Sequence, residues 1–308
     1  MRTLIVVSSD KSDLFFANQL LKSLNVVGVV IENQTPEKDR SSLMRKASKY
    51  LTKPSVFARK CGEALDRRFI EPRQPYNCSG NGLDFGPEGE ELVHGAGVDV
   101  LRTEGVNAIN SPVYRRWIRE REPDVIAVCG ASIIKSDLIA IPQLGILNLH
   151  GGLSQFYRGL FTTDWAIHNR EPECVGATVH FVSEGVDDGD VVYQGRPAIA
   201  GDDNPNTLYE KVVRLGVQMM IQAVRDIERS QCDARPLKTK GRLYLGTSFT
   251  TRAKRRTWQQ VGNGVLQEYL ARKPERDQRV TSKLINEYVC GDKIAVDSAE
   301  LPRGQGSA

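Results

Sequence analysis

The beginning of the chain alternates apolar runs with a helical segment, and this alternation constrains the fold more than any other feature. Residues 3–8 and 26–31 are continuous apolar runs rich in β-branched side chains, and residues 13–24 between them have helical periodicity. Strands that are apolar along their whole length, with a helix between them, are typical of a parallel sheet that helices cover on both faces. The sequence therefore predicts an α/β fold of the doubly wound type.

The same rhythm resumes after residue 92 and continues to about residue 230. Further strands are predicted over residues 98–101, 125–129, 145–149, 176–182 and 191–194, with helices over residues 112–121, 136–141 and 207–229. Taken together, these segments predict a Rossmann-like, mostly parallel sheet of about seven strands with flanking helices.

Two segments fall outside this rhythm. Residues 36–92 are predicted to be an insertion of one or two helices and a loop, because a basic, helix-prone stretch is followed by a turn-rich one. Residues 231–308 are predicted to be a small C-terminal extension with a short strand over 241–245, a helix over 258–272 and a polar tail over 298–308. We therefore divide the chain into a main domain, residues 1–230, and this extension.

The composition is that of a folded protein, with 40% hydrophobic and 26% charged residues. The first apolar run is too short for the core of a signal peptide, and no later run approaches the roughly 18 apolar residues of a membrane span. We therefore predict a cytoplasmic protein that does not associate with membranes. The six cysteines include no C-x-x-C pair, so neither a zinc knuckle nor a disulfide framework is indicated.

Two segments bear on the binding of phosphate groups. The turn after the first predicted strand, residues 8–12, contains neither a G-x-G-x-x-G nor a P-loop pattern, so a nucleotide cofactor at this turn is not supported. Late in the chain, residues 238–256 contain a cluster of lysines and arginines. This cluster fits a phosphate contact and a solvated basic surface equally well.

The chemistry is predicted to lie where one parallel strand ends. Asn148 and His150 are two residues apart at the carboxyl end of the strand predicted over 145–149, so their side chains point to the same face. Open α/β sheets bind ligands at this edge. An amide beside an imidazole offers hydrogen-bond donors and a group that exchanges protons near neutral pH. Asn-x-His alone also fits a polar strand end, so the assignment depends on the downstream motifs.

The other histidines are weaker candidates. His180 lies within a predicted strand and is interpreted as a packed histidine, His168 is assigned to a surface helix, and His94 has no convergent partner in the sequence. The acidic loop downstream offers two candidate carboxylates, Asp187 and Asp188, and the residue pattern alone does not choose between them.

Three motifs in a fixed order connect the chain to a known family. They are Asn148-Leu149-His150-Gly151-Gly152-Leu153, Tyr157-Arg158-Gly159 and Val186-Asp187-Asp188-Gly189. Together they resemble the folate-dependent formyltransferase family, which includes glycinamide ribonucleotide, methionyl-tRNA and nucleotide-sugar formyltransferases. The resemblance covers roughly residues 95–228, and more weakly the first strand and helix.

This resemblance implies that N10-formyltetrahydrofolate is the co-substrate, without a metal, and that Asn148, His150 and Asp187 are the catalytic residues. The register of the family's hydrophobic-Asp-x-Gly pattern favours Asp187 over its neighbour. The implied folate contacts are Gly130, Ser132, Ile133, Ile134 and Asp187, and the implied acceptor contacts are Tyr157, Arg158 and Gly159. Gly151 and Gln155 stand where many family members have proline, so the loop after His150 departs from the family pattern.

The resemblance also implies an amine acceptor, which we predict to be a nucleotide-linked amino sugar. We predict no nucleic-acid partner, because transfer-RNA enzymes of the family normally add a β-barrel of about a hundred residues, and residues 246–308 leave too little room for one. A homodimer is expected by analogy. Alternatives are another small amine of the glycinamide ribonucleotide or hydroxyornithine type, hydrolysis of formyl-folate, and a non-catalytic folate-binding module. The predicted diphosphate or nucleotide contacts are Arg242, Tyr244, Phe249 and Arg252.

Overall fold

The computed structural model describes residues 1–33, 54–65, 68, 82–95, 97–105 and 107–288. Its strands are β1 (Thr3–Ser8), β2 (Val26–Glu32), β3 (Asp99–Thr103), β4 (Val125–Cys129), β5 (Ile146–His150), β6 (Tyr157–Gly159), β7 (Ala177–Phe181), β8 (Val191–Gly195) and β9 (Arg242–Tyr244). Seven of them form one sheet in the order β3-β2-β1-β4-β5-β7-β8, and β6 pairs with β9 separately. The neighbouring strands β3, β2, β1, β4 and β5 pair in parallel. β7 pairs antiparallel with β5 and with β8. The predicted α/β fold with a mostly parallel sheet is confirmed.

Helices cover both faces of this sheet. The helices of the described residues are α1 (Lys11–Ser23), α2 (Pro54–Leu65), α3 (Pro112–Arg119), α4 (Ser136–Ile139), α5 (Thr162–His168), α6 (Pro205–Glu228), α7 (Thr251–Gly262), α8 (Val265–Ala271) and α9 (Lys273–Thr281). Successive residues of β1 point to opposite faces, so Ile5 and Val7 pack with α1 and α6, whereas Leu4 and Val6 pack with α3 and α4. Burial on both faces explains why the central strands are apolar throughout.

The long helix α6 supports the strand that carries the predicted chemistry. A capping box starts the helix, because the Asn204 side chain accepts hydrogen bonds from the N–H groups of Asn206 and Thr207, and the Thr207 hydroxyl accepts from the Asn204 N–H. Further along, a Cβ at Gly216 would lie 2.4 Å from Leu149 Cδ1. The glycine therefore lets α6 approach β5 closely.

Most of the predicted insertion, residues 36–92, lies outside the described residues, as does the predicted tail, residues 298–308. The described part of the insertion contains α2 and a 3-10 helix, Gly86–Gly89. The Asn18 amide on α1 donates hydrogen bonds to the carbonyls of Glu88 and Glu91 at 2.7 and 2.8 Å. The end of the insertion is thereby fixed to α1.

The described part of the C-terminal extension differs from the single helix predicted over residues 258–272, because it contains the three helices α7, α8 and α9. Gly264, with a φ of 84° in the left-handed region, separates α7 from α8. Pro274 lies in the first turn of α9, where its missing N–H costs no helical hydrogen bond. Leu266 and Tyr269 are fully buried in the same core as the sheet, so this segment packs against the main domain.

The attachment of α9 to the main domain generates the first prediction. Arg276 pairs with Glu173 at 2.5 Å, and their side chains are only 13% and 3% exposed. Arg276→Gln leaves the buried carboxylate unpaired, so we expect the free energy of unfolding to fall by about 3–5 kcal/mol. Arg272→Gln is the matched control, because Arg272 and its partner Glu275 are 61% and 65% exposed, and a loss below ~1 kcal/mol is expected. Equal losses in urea unfolding would contradict this account.

A buried carboxyl group at the start of α1 generates the second prediction. Asp13 is 3% exposed and accepts hydrogen bonds from Ser8 and Ser12, and burial raises its pKa from 3.8 to about 6. Between these two values the unfolded chain releases the proton that the folded protein retains, so stability falls as the pH rises. We therefore expect Asp13→Asn to gain stability relative to the wild type, by up to about 3 kcal/mol, between pH 4 and pH 7.5. Urea unfolding at both pH values checks this, and a pH-independent difference would refute it.

Candidate active site

Two polar side chains project from the carboxyl end of β5. Asn148 is half-buried and His150 is 5% exposed. They are two residues apart in the strand and therefore lie on the same face, as the sequence predicts. β5 pairs with the antiparallel strand β7 in a register that places His180 directly opposite Asn148. The edge of the sheet thus holds an amide and two imidazoles.

Asp187 joins this group from the loop between β7 and β8. Its Oδ2 accepts the Gly159 N–H at 2.8 Å and lies 3.4 Å from His150 Nδ1. Its Oδ1 accepts the Asn148 amide at 3.4 Å and lies 3.6 Å from His180 Nε2. The structure therefore brings the three predicted catalytic residues together around one carboxylate.

The backbone of Asp187 is in the left-handed region, with a φ of 48°. For a residue with a Cβ this conformation costs roughly 1–2 kcal/mol, and it persists only where the surroundings impose it. Here Arg158 donates to the Val186 carbonyl at 3.0 Å and to the Gly241 carbonyl at 2.9 Å. The loop is therefore held from outside in the conformation that aims Asp187 inward.

The charge of Asp187 is set by competing effects. Burial is the largest single influence and would raise the pKa of the carboxyl group. His150, His180 and the Gly159 N–H together outweigh burial and hold the pKa of Asp187 well below its ordinary value of 3.8. The site therefore contains a carboxylate that stays ionised at neutral pH.

Both nitrogens of the His150 ring have partners. Nε2 lies 2.9 Å from the Tyr157 carbonyl oxygen, which can only accept, so Nε2 carries a hydrogen. Nδ1 faces Asp187. A Cβ at Gly152 would lie 2.7 Å from His150 Nε2, so this glycine is needed to make room for the imidazole.

Asp188, the alternative carboxylate, lies outside this group. It accepts hydrogen bonds from Ser183 at 2.6 Å and Lys240 at 2.7 Å, and Arg158 lies 3.8 Å away. Burial opposes ionisation, but these donors hold the pKa of Asp188 below its ordinary value. The side chain of Asp188 therefore stabilises its own loop and does not contact His150.

The residues predicted to bind folate follow β4. Gly130 has a φ of 67°, and a Cβ there would lie 1.8 Å from Asp13 Oδ2, so the position requires glycine. The Ser132 N–H donates to the buried carboxylate of Glu32 at 2.6 Å. Ile133 is 64% exposed, whereas Ile134 is 6% exposed. Ile133 is therefore the apolar side chain that this loop presents to solvent.

The three predicted acceptor contacts have structural partners. The Tyr157 ring is 3% exposed and stacks on Tyr244 with centroids 5.5 Å apart, and its hydroxyl bonds to Glu171. A side-chain contact between Tyr157 and an acceptor would therefore require the ring to move. Arg158 and Gly159 hold the loop that carries Asp187.

His180 belongs to the site, although its sequence pattern predicts only a packed histidine. It is buried in β7, as a packed histidine would be, but its Nε2 lies 3.1 Å from the Asn148 amide nitrogen. The contact depends on the antiparallel register of β5 and β7, which periodicity does not reveal. The alternation of polar residues at positions 178 and 180 is the one local signal that could have indicated a polar face.

Two features are absent from the described residues. They contain no group of three or more histidine, cysteine, aspartate or glutamate residues arranged to hold a metal ion. In the same part of the chain, no helix has the length and apolar composition needed to cross a membrane.

Comparison with known sequences finds similarity to a described family. Residues 104–224 match the family model "Formyl transferase". A methionyl-tRNA formyltransferase from Caldanaerobacter subterraneus subsp. tengcongensis is 32% identical over 161 residues, which cover 51% of this chain and 51% of that protein. One from Myxococcus xanthus is 33% identical over 135 residues, covering 44% and 42%. The chain thus spans about half the length of the curated relatives it matches.

Solved structures extend the similarity in fold. A 4-N formyltransferase from Francisella tularensis has a TM-score of 0.51 at 14% identity, over 84% of this chain and 87% of that one. A sugar N-formyltransferase from Shewanella sp. has a TM-score of 0.50 at 16% identity, over 85% and 88%. The matched segment contains Asn148, His150 and Asp187. Residues 104–224 therefore form a formyl transferase domain, and the fold of the chain resembles that of these two solved formyltransferases.

Proposed function

We propose that this protein transfers a formyl group from N10-formyltetrahydrofolate to the amine of a nucleotide-linked amino sugar. The observation that carries the proposal is the convergence of Asn148 and His150 on the ionised carboxylate of Asp187 at the carboxyl edge of the sheet. These groups lie within the matched segment, and their chemistry fits the transfer of an acyl group between two nitrogen atoms.

The first requirement of such a transfer is to stabilise negative charge on the formyl oxygen. The acceptor nitrogen forms a bond to the formyl carbon, and charge develops on the oxygen before the bond to N10 breaks. In our proposal the amide of Asn148 donates to this oxygen, and the hydrogen-bearing ring of His150 adds positive potential beside it. Asn148 is the more accessible of the two side chains, because it is only half-buried whereas His150 is buried.

The second requirement is to move one proton from the acceptor nitrogen to N10. His150 is 5% exposed, so a bridging water is the simplest connection between its ring and the reacting atoms. Asp187 faces His150 Nδ1 at 3.4 Å and stabilises the ring while it carries the proton. The net reaction leaves the acceptor formylated and the folate without its one-carbon unit.

We propose that folate lies along the loop after β4, where Gly130, Ser132, Ile133 and Ile134 were predicted to contact it. The fit rests on Ile133, whose exposed apolar side chain suits an aromatic ring. Glu32 holds the backbone of Ser132 in place. In our proposal, Asp187 contacts the folate from the side opposite this loop.

The acceptor class rests on different observations. The fold is shared over more than four-fifths of this chain with a 4-N formyltransferase and a sugar N-formyltransferase. Near the site, Lys240 and Arg242 are exposed, and the Arg242 guanidinium lies 5.1 Å from the centre of the Tyr244 ring, an arrangement that suits a diphosphate. The curated relatives are methionyl-tRNA formyltransferases, so a charged transfer RNA is the second candidate. The homodimer and the cytoplasmic location stay predictions.

The proposal is tested by incubating the protein with 10-formyltetrahydrofolate and candidate acceptors. A panel of nucleotide amino sugars, glycinamide ribonucleotide, methionyl-tRNA and a reaction without acceptor are followed by mass spectrometry. We expect one nucleotide amino sugar to gain a single formyl group. Formylation of methionyl-tRNA alone would replace the acceptor class, folate consumption without acceptor would indicate hydrolysis, and folate binding without turnover would indicate a binding module.

The two neighbouring aspartates provide a matched pair of variants. Asp187→Asn removes the charge that faces His150, so we expect kcat to fall by about 10² to 10⁴. Asp188→Asn changes a pair with the half-exposed Lys240, which is worth about 1 kcal/mol or less, so a loss below about tenfold is expected.

Steady-state rates measured with the accepted substrate check this difference, and circular dichroism verifies that both variants are folded. A larger loss in Asp188→Asn than in Asp187→Asn would exchange the two assignments.

A further inference from the structure

His180 and Asn148 face each other across two antiparallel strands, and both contact the carboxylate of Asp187. Asn148 Nδ2 lies 3.1 Å from His180 Nε2 and 3.4 Å from Asp187 Oδ1. His180 is 3% exposed, so its ring has little contact with solvent. The orientation of the Asn148 amide is therefore decided by what His180 and Asp187 present to it.

One nitrogen of the His180 ring is fixed by the backbone. Nδ1 lies 2.8 Å from the Phe181 carbonyl oxygen. A carbonyl oxygen can only accept, so Nδ1 carries a hydrogen whether the ring is neutral or charged. Nε2 is therefore the ring atom that gains or loses a proton, and it is the atom that faces Asn148.

The state of Nε2 determines which end of the amide faces inward. When Nε2 has a lone pair, it accepts from the Asn148 NH₂ group, whose nitrogen lies 3.1 Å away, and the amide oxygen is left for a ligand. When Nε2 carries a hydrogen, two donors would meet at 3.1 Å, which is repulsive. The amide then turns, so that its oxygen accepts from Nε2 and its NH₂ group becomes available.

We infer that His180 is a positioning residue that makes Asn148 an N–H donor to the formyl oxygen only while His180 is protonated. The inference rests on the proposed formyl transfer. In the described residues, the charged or titratable groups that face His180 are Asp187, 3.6 Å from Nε2, and His150 on the other side of that carboxylate. A protonated His180 compensates for turning the amide oxygen toward Asp187, because it adds positive charge beside the carboxylate.

The kinetic test compares His180→Gln with His180→Leu across pH. Glutamine can donate to the Asn148 oxygen at every pH, whereas leucine can neither donate nor accept. We expect wild-type kcat to fall where His180 loses its proton, and His180→Gln to retain activity without this fall. We expect His180→Leu to lose about 10² to 10³ in kcat at all pH values. A fall that persists unchanged in His180→Gln would overturn the inference.

A measurement without substrate separates this inference from the proposed function. Nitrogen-15 NMR of the full-length protein follows the His180 ring and the Asn148 side-chain amide, assigned with His180→Gln and Asn148→Ala. We expect Nδ1 to stay protonated while Nε2 titrates, with the Asn148 amide signals shifting at the same midpoint. Asn148 signals that ignore the titration would overturn the inference even if formyl transfer occurs. Coupled titration in a protein that transfers no formyl group would overturn the catalytic half of the inference together with the proposed function.

Discussion

The carboxylate of Asp187 is buried, yet it stays charged, and the arrangement of the site follows from this requirement. A buried charge is costly unless it is paired and hydrogen-bonded. Here two histidines, one amide and one backbone N–H meet the two carboxylate oxygens. Each partner comes from a different part of the fold: β5 supplies Asn148 and His150, β7 supplies His180, and β6 supplies Gly159. The pairing of the Asp187 carboxylate therefore depends on the relative positions of these three strands.

Contacts around the site hold the Asp187 loop and β5 in the positions that this pairing needs. The left-handed backbone at Asp187 is imposed by Arg158, which holds the carbonyl of the preceding residue. Arg158 also bonds to Gly241 beside β9, so the C-terminal segment contributes to the loop's position. Close packing of α6 at Gly216 holds β5 from below. Local strain is thus carried at the site and offset by contacts around it.

Much of the fold could be predicted from the sequence because its central strands are buried on both faces. Continuous apolar runs such as residues 3–8 and 26–31 are typical of parallel strands in this position. The C-terminal helices were harder to predict, because Gly264 and Pro274 divide a segment whose pattern predicts a single helix. The site was partly predictable: Asn148 and His150 share a face by spacing alone, whereas Asp187 was chosen over Asp188 by resemblance. His180 joins the site through the antiparallel register of β5 and β7, a tertiary feature that no local pattern records. Burial of the Tyr157 ring likewise depends on Tyr244, which lies far along the chain.

The most direct measurement of the central claim is the ionisation of Asp187 itself. Carbon-13 NMR of protein labelled at aspartate carboxyl groups, with Asp187→Asn used to assign the signal, follows this group as the pH is lowered toward acid unfolding. We predict that the Asp187 carboxyl group stays ionised below pH 3.8, which is the ordinary pKa of an aspartate carboxyl. Titration of that signal at or above the ordinary value would contradict the account, because the histidines and the Gly159 amide would then not be compensating for burial.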